Sequence, residues 1–484
     1  MRKILAILYV LSKLIMLFSC TFLAPALVSI LYRDGALDTF VTAAVAGLAI
    51  GLALWSATRR YQRELKPRDG FILVTTLWVG FAITASFPFM LARPDMSFSH
   101  AFFEAMSGLT TTGSTVISGL DALPASLNFW RHFLNWMGGM GIIVLAVAIL
   151  PILGIGGMQL YKAETPGPMK DSKLAPRITE TAKNLWLVYS SWTLAVALAL
   201  KAAGLNWLDA VCHAFAALSL GGFSTRDSSV GAFDSLPVEL ILSFGMIVGA
   251  MNFATHFLAL RQRSLRAYLR DPEAKAMLWL LLGSILAMSA YLWAHRVYDF
   301  PTALRHVSFN LISIATDSGF ASVDYARWPI FVPLWMLFLS SVTACSGSTG
   351  GGIKMVRTLM LSKQSVNEMT RLLHPAAVRP VKIGGKVVPQ DVMLSVMGFI
   401  FVYCMCIVIL SFALIASGLD FLSAFTAVIA SINNAGPGLG VVGPASNYAS
   451  LSDFQIWTCS LAMLLGRLEV FTLLILFTPA FWRK

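Results

Sequence analysis

Four short stretches carry the residues whose chemistry stands out: Thr111-Thr112-Gly113, Leu220-Gly221-Gly222, Asp317-Ser318-Gly319 and Asn434-Ala435-Gly436. Each follows a short apolar segment, at 102–109, 211–218, 308–315 and 424–432, and the four glycines recur at intervals of 109, 97 and 117 residues. Crossing a bilayer as a helix takes roughly 20 residues, so these segments read as re-entrant helices that end at membrane depth. Irregular backbone at that depth is costly unless it lines a watery cavity. Glycine lacks Cβ and takes positive φ, so four such loops about one axis can offer rings of carbonyl oxygens. Such rings replace the hydration shell of a monovalent cation, as in potassium channel filters. The preceding helices would turn their negative ends towards the ion.

These loops need long spans to hold them, and the composition supplies them. Of 484 residues, 57% are apolar and 12% charged, about half the roughly 25% charge of a soluble domain. Runs such as 142–153, 278–292 and 392–415 exclude a soluble enzyme and point to an all-α polytopic membrane protein. Two spans lead, near 4–32 and 37–58. Four units then repeat: a first span, a short segment, a glycine break and a second span. First spans are expected near 70–92, 184–204, 274–298 and 388–418, and second spans near 128–161, 236–260, 328–360 and 454–482. The expected units are 1–68 for the leading helices, then pore repeats at 69–183, 184–273, 274–387 (with an intramembrane Gly-rich loop) and 388–484.

The net charge of +12 is a matter of topology and argues no nucleic-acid partner. Of 36 Lys and Arg, 26 fall at 2–3, 59–68, 162–183, 261–275, 354–386 and 483–484, after every second span. The positive-inside rule puts those segments and both termini on the cytoplasmic side of the membrane. Arg33, Arg93, Arg131, Arg226, Arg296, Arg305 and Arg327 are expected in or beside the opposite loops. The apolar run from residue 4 continues through Leu31, which favours a span over a cleaved leader. The six Cys form no C-x-x-C pair and read as buried small hydrophobes, and the seven His show no metal-ligand spacing.

Gly347-Ser348-Thr349-Gly350-Gly351-Gly352 interrupts the second span of the third repeat. The phosphate-loop pattern fails there, because Ile353 occupies the lysine position. Six small residues weaken a helix, so the stretch reads as an unwound loop obstructing the cavity below the filter, with close helix packing as the alternative. Arg467 stands in the last span two residues before Glu469, either in a structural ion pair or as a positive charge beside the ion path. Asp317 either attracts cations or braces its own loop through the amides, and Glu104 reads as a brace of the first pore helix. Asn252, Phe253 and His256 read as packing and satisfied hydrogen bonds, and Trp136 to Gly141 as a small-residue face for close helix approach.

With these motifs in place, the chain resembles the Trk/Ktr/HKT superfamily of potassium transporters, specifically its bacterial TrkH-type subunit, over essentially its whole length. The resemblance rests on the four pore loops, the two leading spans and the 347–352 stretch. It implies a K+-translocating, homodimeric subunit with one pore per protomer and K+ as cargo rather than an organic cofactor. The family's filter glycines carry over to Gly113, Gly222, Gly319 and Gly436. Its gating loop carries over to 347–352, and its intramembrane arginine to Arg467. It also implies a cytoplasmic nucleotide-binding TrkA-type regulatory ring, expected on another chain because this one stops at Lys484 after its last span. The basic loops would dock that partner or anionic membrane lipids. A Na+-permeable or Na+-coupled transporter of the same superfamily is the alternative.

Overall fold

The computed structural model describes residues 2–63, 65–141, 178–376 and 379–483. The end of the first repeat's second span and most of the basic 162–183 loop lie outside the described residues, as does Lys484. The architecture is all-α, apart from a hairpin at Lys382–Ile383 and Lys386–Val387 turning through Gly384 and Gly385.

Among the described residues six helices are long and apolar enough to cross a membrane: Ile4–Tyr32, Leu37–Tyr61, Arg68–Ala92, Ala182–Ala202, Pro272–Ala294 and Gln390–Ala416. They are the two leading spans and the four first spans, displaced by only a few residues from the expected limits. The opening stretch is built into the bundle. Phe18 stacks on Phe81 with ring centroids 4.6 Å apart, and Trp130 meets Phe22 at 4.8 Å while its indole N–H donates to the Ala85 carbonyl.

Four short helices follow the first spans: Phe98–Leu109, Trp207–Ser219, Phe300–Ala315 and Phe421–Ile432. Each starts at a side-chain cap, Ser97, Asn206, Asp299 and Asp420 respectively, accepting from an amide of the first turn. Capping fixes where the short helix begins, and hence how deep it ends.

The second spans of the second and fourth repeats depart from expectation, while that of the third breaks around the expected 347–352 loop. The stretches at 236–260, 328–360 and 454–482 are not continuous helices. Leu236–Ala250 turns by 99° into Phe253–Gln262, and Asp453–Arg467 turns by 107° into Phe471–Phe477. In the third repeat Phe331–Val342 gives way to a loop before Met355–Leu373. In the second repeat Asn252 caps the new helix by accepting the Ala254 amide at 2.8 Å. In the fourth, Glu469 and Val470 take φ of 53° and 42°, a conformation disfavoured by roughly 1–2 kcal/mol for side chains with a Cβ. Apolar composition does not reveal the breaks of the second and fourth repeats, whereas that of the third coincides with the Gly347–Gly352 stretch.

The repeats close into a ring. The second pore helix packs on Ala125–Gly139 of the first repeat, the third on Leu236–Ala250 of the second, the fourth on Phe331–Val342 of the third, and the first on Asp453–Arg467 of the fourth. Gly139 makes the first of these contacts possible, and Gly138 the packing of the same helix on its own repeat's pore helix. A Cβ on Gly138 would strike the Leu109 carbonyl, and one on Gly139 would come within 2.9 Å of the Ser219 Cα.

Candidate functional site

Every pore helix ends in the same turn. The amides of Thr112, Gly221, Ser318 and Ala435 each donate five residues back, to the carbonyls of Ser107, Ala216, Ser313 and Ala430, all at 2.8 Å. The residue before each donor, Thr111, Leu220, Asp317 or Asn434, takes a left-handed φ of 55–67°. This is the Schellman ending, in which a left-handed residue lets the next amide satisfy a helix-end carbonyl. Glycine usually fills that position, and here none of the four is glycine. Thr111 and Leu220 are held there by the surrounding packing.

Two residues on, Gly113, Gly222, Gly319 and Gly436 take φ of 82°, 59°, 83° and 87°. A Cβ on Gly113 would meet the Gly221 carbonyl oxygen, one on Gly222 that of Ser318, one on Gly319 that of Ala435, and one on Gly436 that of Thr112, all under 3.0 Å. Loop one thus abuts loop two, two abuts three, three abuts four, and four abuts one. These contacts join eight of the twelve expected filter residues, Thr112, Gly113, Gly221, Gly222, Ser318, Gly319, Ala435 and Gly436, while Thr111, Leu220, Asp317 and Asn434 form the left-handed turns above. The glycine carbonyls are not equivalent, since that of Gly436 accepts from Ser114 Oγ at 2.9 Å and Tyr448 Oη at 3.0 Å. Outside the ring a cavity of about 80 Å³ touches Gly113, Gly222, Gly319 and Pro437.

Each loop is held from behind by a pore-helix polar group. Glu104 accepts from Thr115 Oγ1 and the Val116 amide at 3.0 Å, and pairs with Arg131 at 2.7 Å, both side chains fully buried. It is a brace, as expected. Arg131 is not beside an outer loop as its place in the charge pattern suggested. Its guanidinium also donates to the Ser224 carbonyl at 3.1 Å and lies over Phe223 at 4.3 Å, tying loop one to loop two. In loop two His213 meets Ser224 Oγ at 2.9 Å; in loop three Asn310 Nδ2 donates to Ser322 Oγ at 2.8 Å; in loop four Thr426 Oγ1 accepts the Leu439 amide at 2.9 Å. Glu104, His213 and Asn310 stand at the same distance before their glycines. That polar recurrence inside an apolar helix is the sequence signal for the braces of the second and third loops.

Below the ring, the 347–352 stretch leaves the helix and is bonded on several sides. Phe253 donates its amide to the Gly347 carbonyl at 3.1 Å, and Thr349 Oγ1 donates to the carbonyls of Leu218 at 3.0 Å and Gly249 at 3.2 Å. Ser348 Oγ donates to the Cys345 carbonyl at 2.6 Å. The Gly351 amide donates to Asp317 Oδ2 at 3.0 Å, so the carboxylate braces this loop rather than its own. Gly350 lies against Asp317 and Leu220, Gly351 against the Asn433 carbonyl, and Gly352 against those of Ser340 and Ser341. The second repeat's break is therefore the seat of the third repeat's loop. Asn252 lies against Gly347 in addition to capping its helix, and His256 bonds Tyr268 Oη at 2.8 Å and the Val248 carbonyl at 2.9 Å.

Arg467 ends its helix beneath the ring and donates to the carbonyls of Thr349 at 3.1 Å, Gly139 at 3.3 Å and Gly138. The Arg467–Glu469 pair suggested by their closeness in sequence does not form. Glu469 pairs with Arg357 at 2.8 Å, and its own φ of 53° takes it off the helix that Arg467 ends. Lys354 and Arg357 are also not part of an exposed basic face, for both are buried, and Lys354 Nζ donates to the Gly350 carbonyl.

Four re-entrant loops closed into one ring inside a polytopic helical bundle define a membrane transport protein rather than an enzyme. The TrkH family model, described as a cation transport protein, matches residues 36–484, and the chain belongs to that family. Relatives include the Trk system potassium uptake proteins TrkH of Salmonella typhimurium, 47% identical, and of Vibrio parahaemolyticus, 48% identical, each alignment covering 99% of both chains. The crystal structure of the potassium transporter TrkH from Vibrio parahaemolyticus superimposes with a TM-score of 0.89 at 45% identity, over 99% of this chain and 100% of that one.

Proposed function

We propose that this chain takes up K+ across the bacterial inner membrane through the ring formed by Thr111–Gly113, Leu220–Gly222, Asp317–Gly319 and Asn434–Gly436. The observation that carries the reading is the cyclic contact of the four glycines with the carbonyls of the next loop. It is supported by the potassium uptake named for relatives that match from end to end. Carbonyl dipoles from four loops can replace a monovalent ion's hydration shell without a net charge to trap it. The sequence units at 1–68, 69–183, 184–273, 274–387 and 388–484 are the leading pair and four pore repeats of this path.

The loop at 347–352 is the gate. It lies directly below the ring, and it is held by hydrogen bonds to four other segments rather than by a helix of its own. Arg467 keeps a positive charge against it and disfavours a resident cation there. Both termini are cytoplasmic, the protein is a homodimer, and a nucleotide-binding TrkA-type partner acts on the basic cytoplasmic face. Met355–Leu373 continues directly from the gate into the segment such a partner would pull.

A Na+-permeable relative is the second reading, favoured by the unlike residues before each glycine and by the Gly436 carbonyl being tied to Ser114 and Tyr448. Rubidium uptake into liposomes holding only this protein tests both. Uptake that excess K+ abolishes and excess Na+ leaves intact supports K+ transport; equal competition by both ions favours the second reading, and no uptake above empty liposomes refutes the function.

A further inference from the structure

Asp317 ends the third pore helix with its side chain fully buried and turned to the gate rather than to its own loop. Oδ2 accepts the Gly351 amide at 3.0 Å, and a Cβ on Gly350 would meet the same oxygen at 3.2 Å. Oδ1 has no hydrogen-bond partner. The ammonium of Lys354 is bonded to the Gly350 carbonyl, and Gly350 is itself packed against Asp317 Oδ2. Lys354 in turn feels Glu469, Arg467 and Arg357. Every group that steadies this carboxylate therefore belongs to one short stretch, 350–354. A buried carboxylate is strongly disfavoured once its donors and counter-charge are taken away.

We propose that Asp317 is an exchange site for cations below the filter: the Gly351 amide occupies it while the gate is in place, with the Lys354 ammonium bonded one residue away at the Gly350 carbonyl, and a partly hydrated K+ replaces them when the gate withdraws. The inference rests on the gate reading of 347–352 and goes beyond it by giving the cargo a part in opening. An ion that binds Asp317 only after the segment has left must, by reciprocity, favour the departed state. K+ is then both what passes and what helps hold the gate aside. Without that ion, withdrawal would strand a bare carboxylate, so opening at low K+ is disfavoured. The Lys354 side chain acts as a built-in substitute for the transported cation.

A double-mutant cycle in liposomes tests this, with the rubidium concentration giving half-maximal uptake as the readout. Lys354→Met removes the built-in cation and should lower that concentration about tenfold, equivalent to about 1.4 kcal/mol. Asp317→Asn keeps an acceptor for the Gly351 amide but loses the charge, and should raise it by about as much. The double variant should behave as Asp317→Asn alone, because Lys354 has nothing left to compensate. Effects that simply add, or no change with Lys354→Met, overturn the exchange. If Asp317→Asn fails to fold, Lys354→Met alone decides between the two results. A fourth protein lacking 347–352 separates the parent reading. Unchanged uptake there refutes the gate, and the inference with it, whereas raised uptake with an additive cycle refutes only the exchange.

Discussion

Arg357 and Glu469 meet at 2.8 Å although 112 positions separate them, and the guanidinium also lies 4.1 Å above the Phe399 ring. The pair joins the first turn of the helix leaving the third-repeat loop to the chain reversal that breaks the fourth repeat. Any force that draws Met355–Leu373 away must separate it. Glu469→Gln replaces an ion-pair hydrogen bond by a neutral one and should weaken the closed arrangement by about 1 kcal/mol. Rubidium uptake without any partner should then rise severalfold, with the order of permeant ions unchanged. Uptake equal to that of the unaltered protein would show that the pair is separate from gating.

Gly351 is the gate residue most intolerant of a side chain, because a Cβ would strike the Asn433 carbonyl, which is backbone and cannot swing aside. Gly351→Ala should dislodge the loop and raise partner-free uptake. Alanine at Gly283, where nothing lies within 4 Å and φ is not left-handed, should leave uptake unchanged. Equal uptake by the two variants would contradict the close seating of the loop.

Gly222 and Gly436 differ in how tightly the neighbouring loop covers them. A Cβ on Gly436 would stand 2.8 Å from the Thr112 carbonyl oxygen, and one on Gly222 would overlap that of Ser318 more deeply. Each alanine variant also carries roughly 1–2 kcal/mol of left-handed strain. Both should insert in the membrane yet lose K+ uptake or its discrimination against Na+, Gly222→Ala more severely. Growth on limiting K+ and sodium competition measured side by side would expose a reversed order.

Glu104 and Arg131 form a fully buried pair behind the first and second loops. Removing one partner leaves an unpaired buried charge, so Glu104→Gln and Arg131→Met should each lower stability by about 3–5 kcal/mol. The double variant should recover part of that loss. Melting in detergent reads the effect, and additive losses would mean that the pair is not the source of the stability.

Asp34 lies between the two leading spans. Burial opposes its ionisation, but hydrogen bonds from Ser29 Oγ and from the amides of Ser126 and Ala36 prevail and hold the carboxyl below the usual aspartate range. A lowered folded value means stability that is present at neutral pH and disappears as pH falls through it. Melting temperature should therefore begin to drop near pH 4, and Asp34→Asn should remove that component of the acid sensitivity. Identical acid profiles for the two proteins would exclude the contribution.

Much of the candidate site was legible because its signals are local. Apolar length separates a span from a re-entrant helix, and a glycine after each short helix marks where the chain must turn, so the alignment of Gly113, Gly222, Gly319 and Gly436 needed no tertiary knowledge. Glu104 was legible as a brace for the same reason, a lone carboxylate in an apolar helix. Its partner Arg131 was not, since the charge pattern assigns a basic residue to a side of the membrane and says nothing of a pair across two helices. For Arg467 nearness in sequence left open a pair with Glu469, which instead meets Arg357 across 112 positions.

By itself, then, the amino-acid order determined the membrane class, the count of repeats and the register of the loops, because bilayer thickness and backbone sterics act on each segment separately. Only the tertiary structure decided that the loops close in the cyclic order one to four, that the second repeat breaks at Asn252 to seat Gly347, and that Asp317 bonds the 347–352 loop instead of its own. Those outcomes depend on which carbonyls and charges meet across 34 to more than 300 residues of chain, as Asp317 with Gly351 and Ser114 with Gly436 do. Burial makes each such meeting strong, and no local pattern encodes which partner will be there.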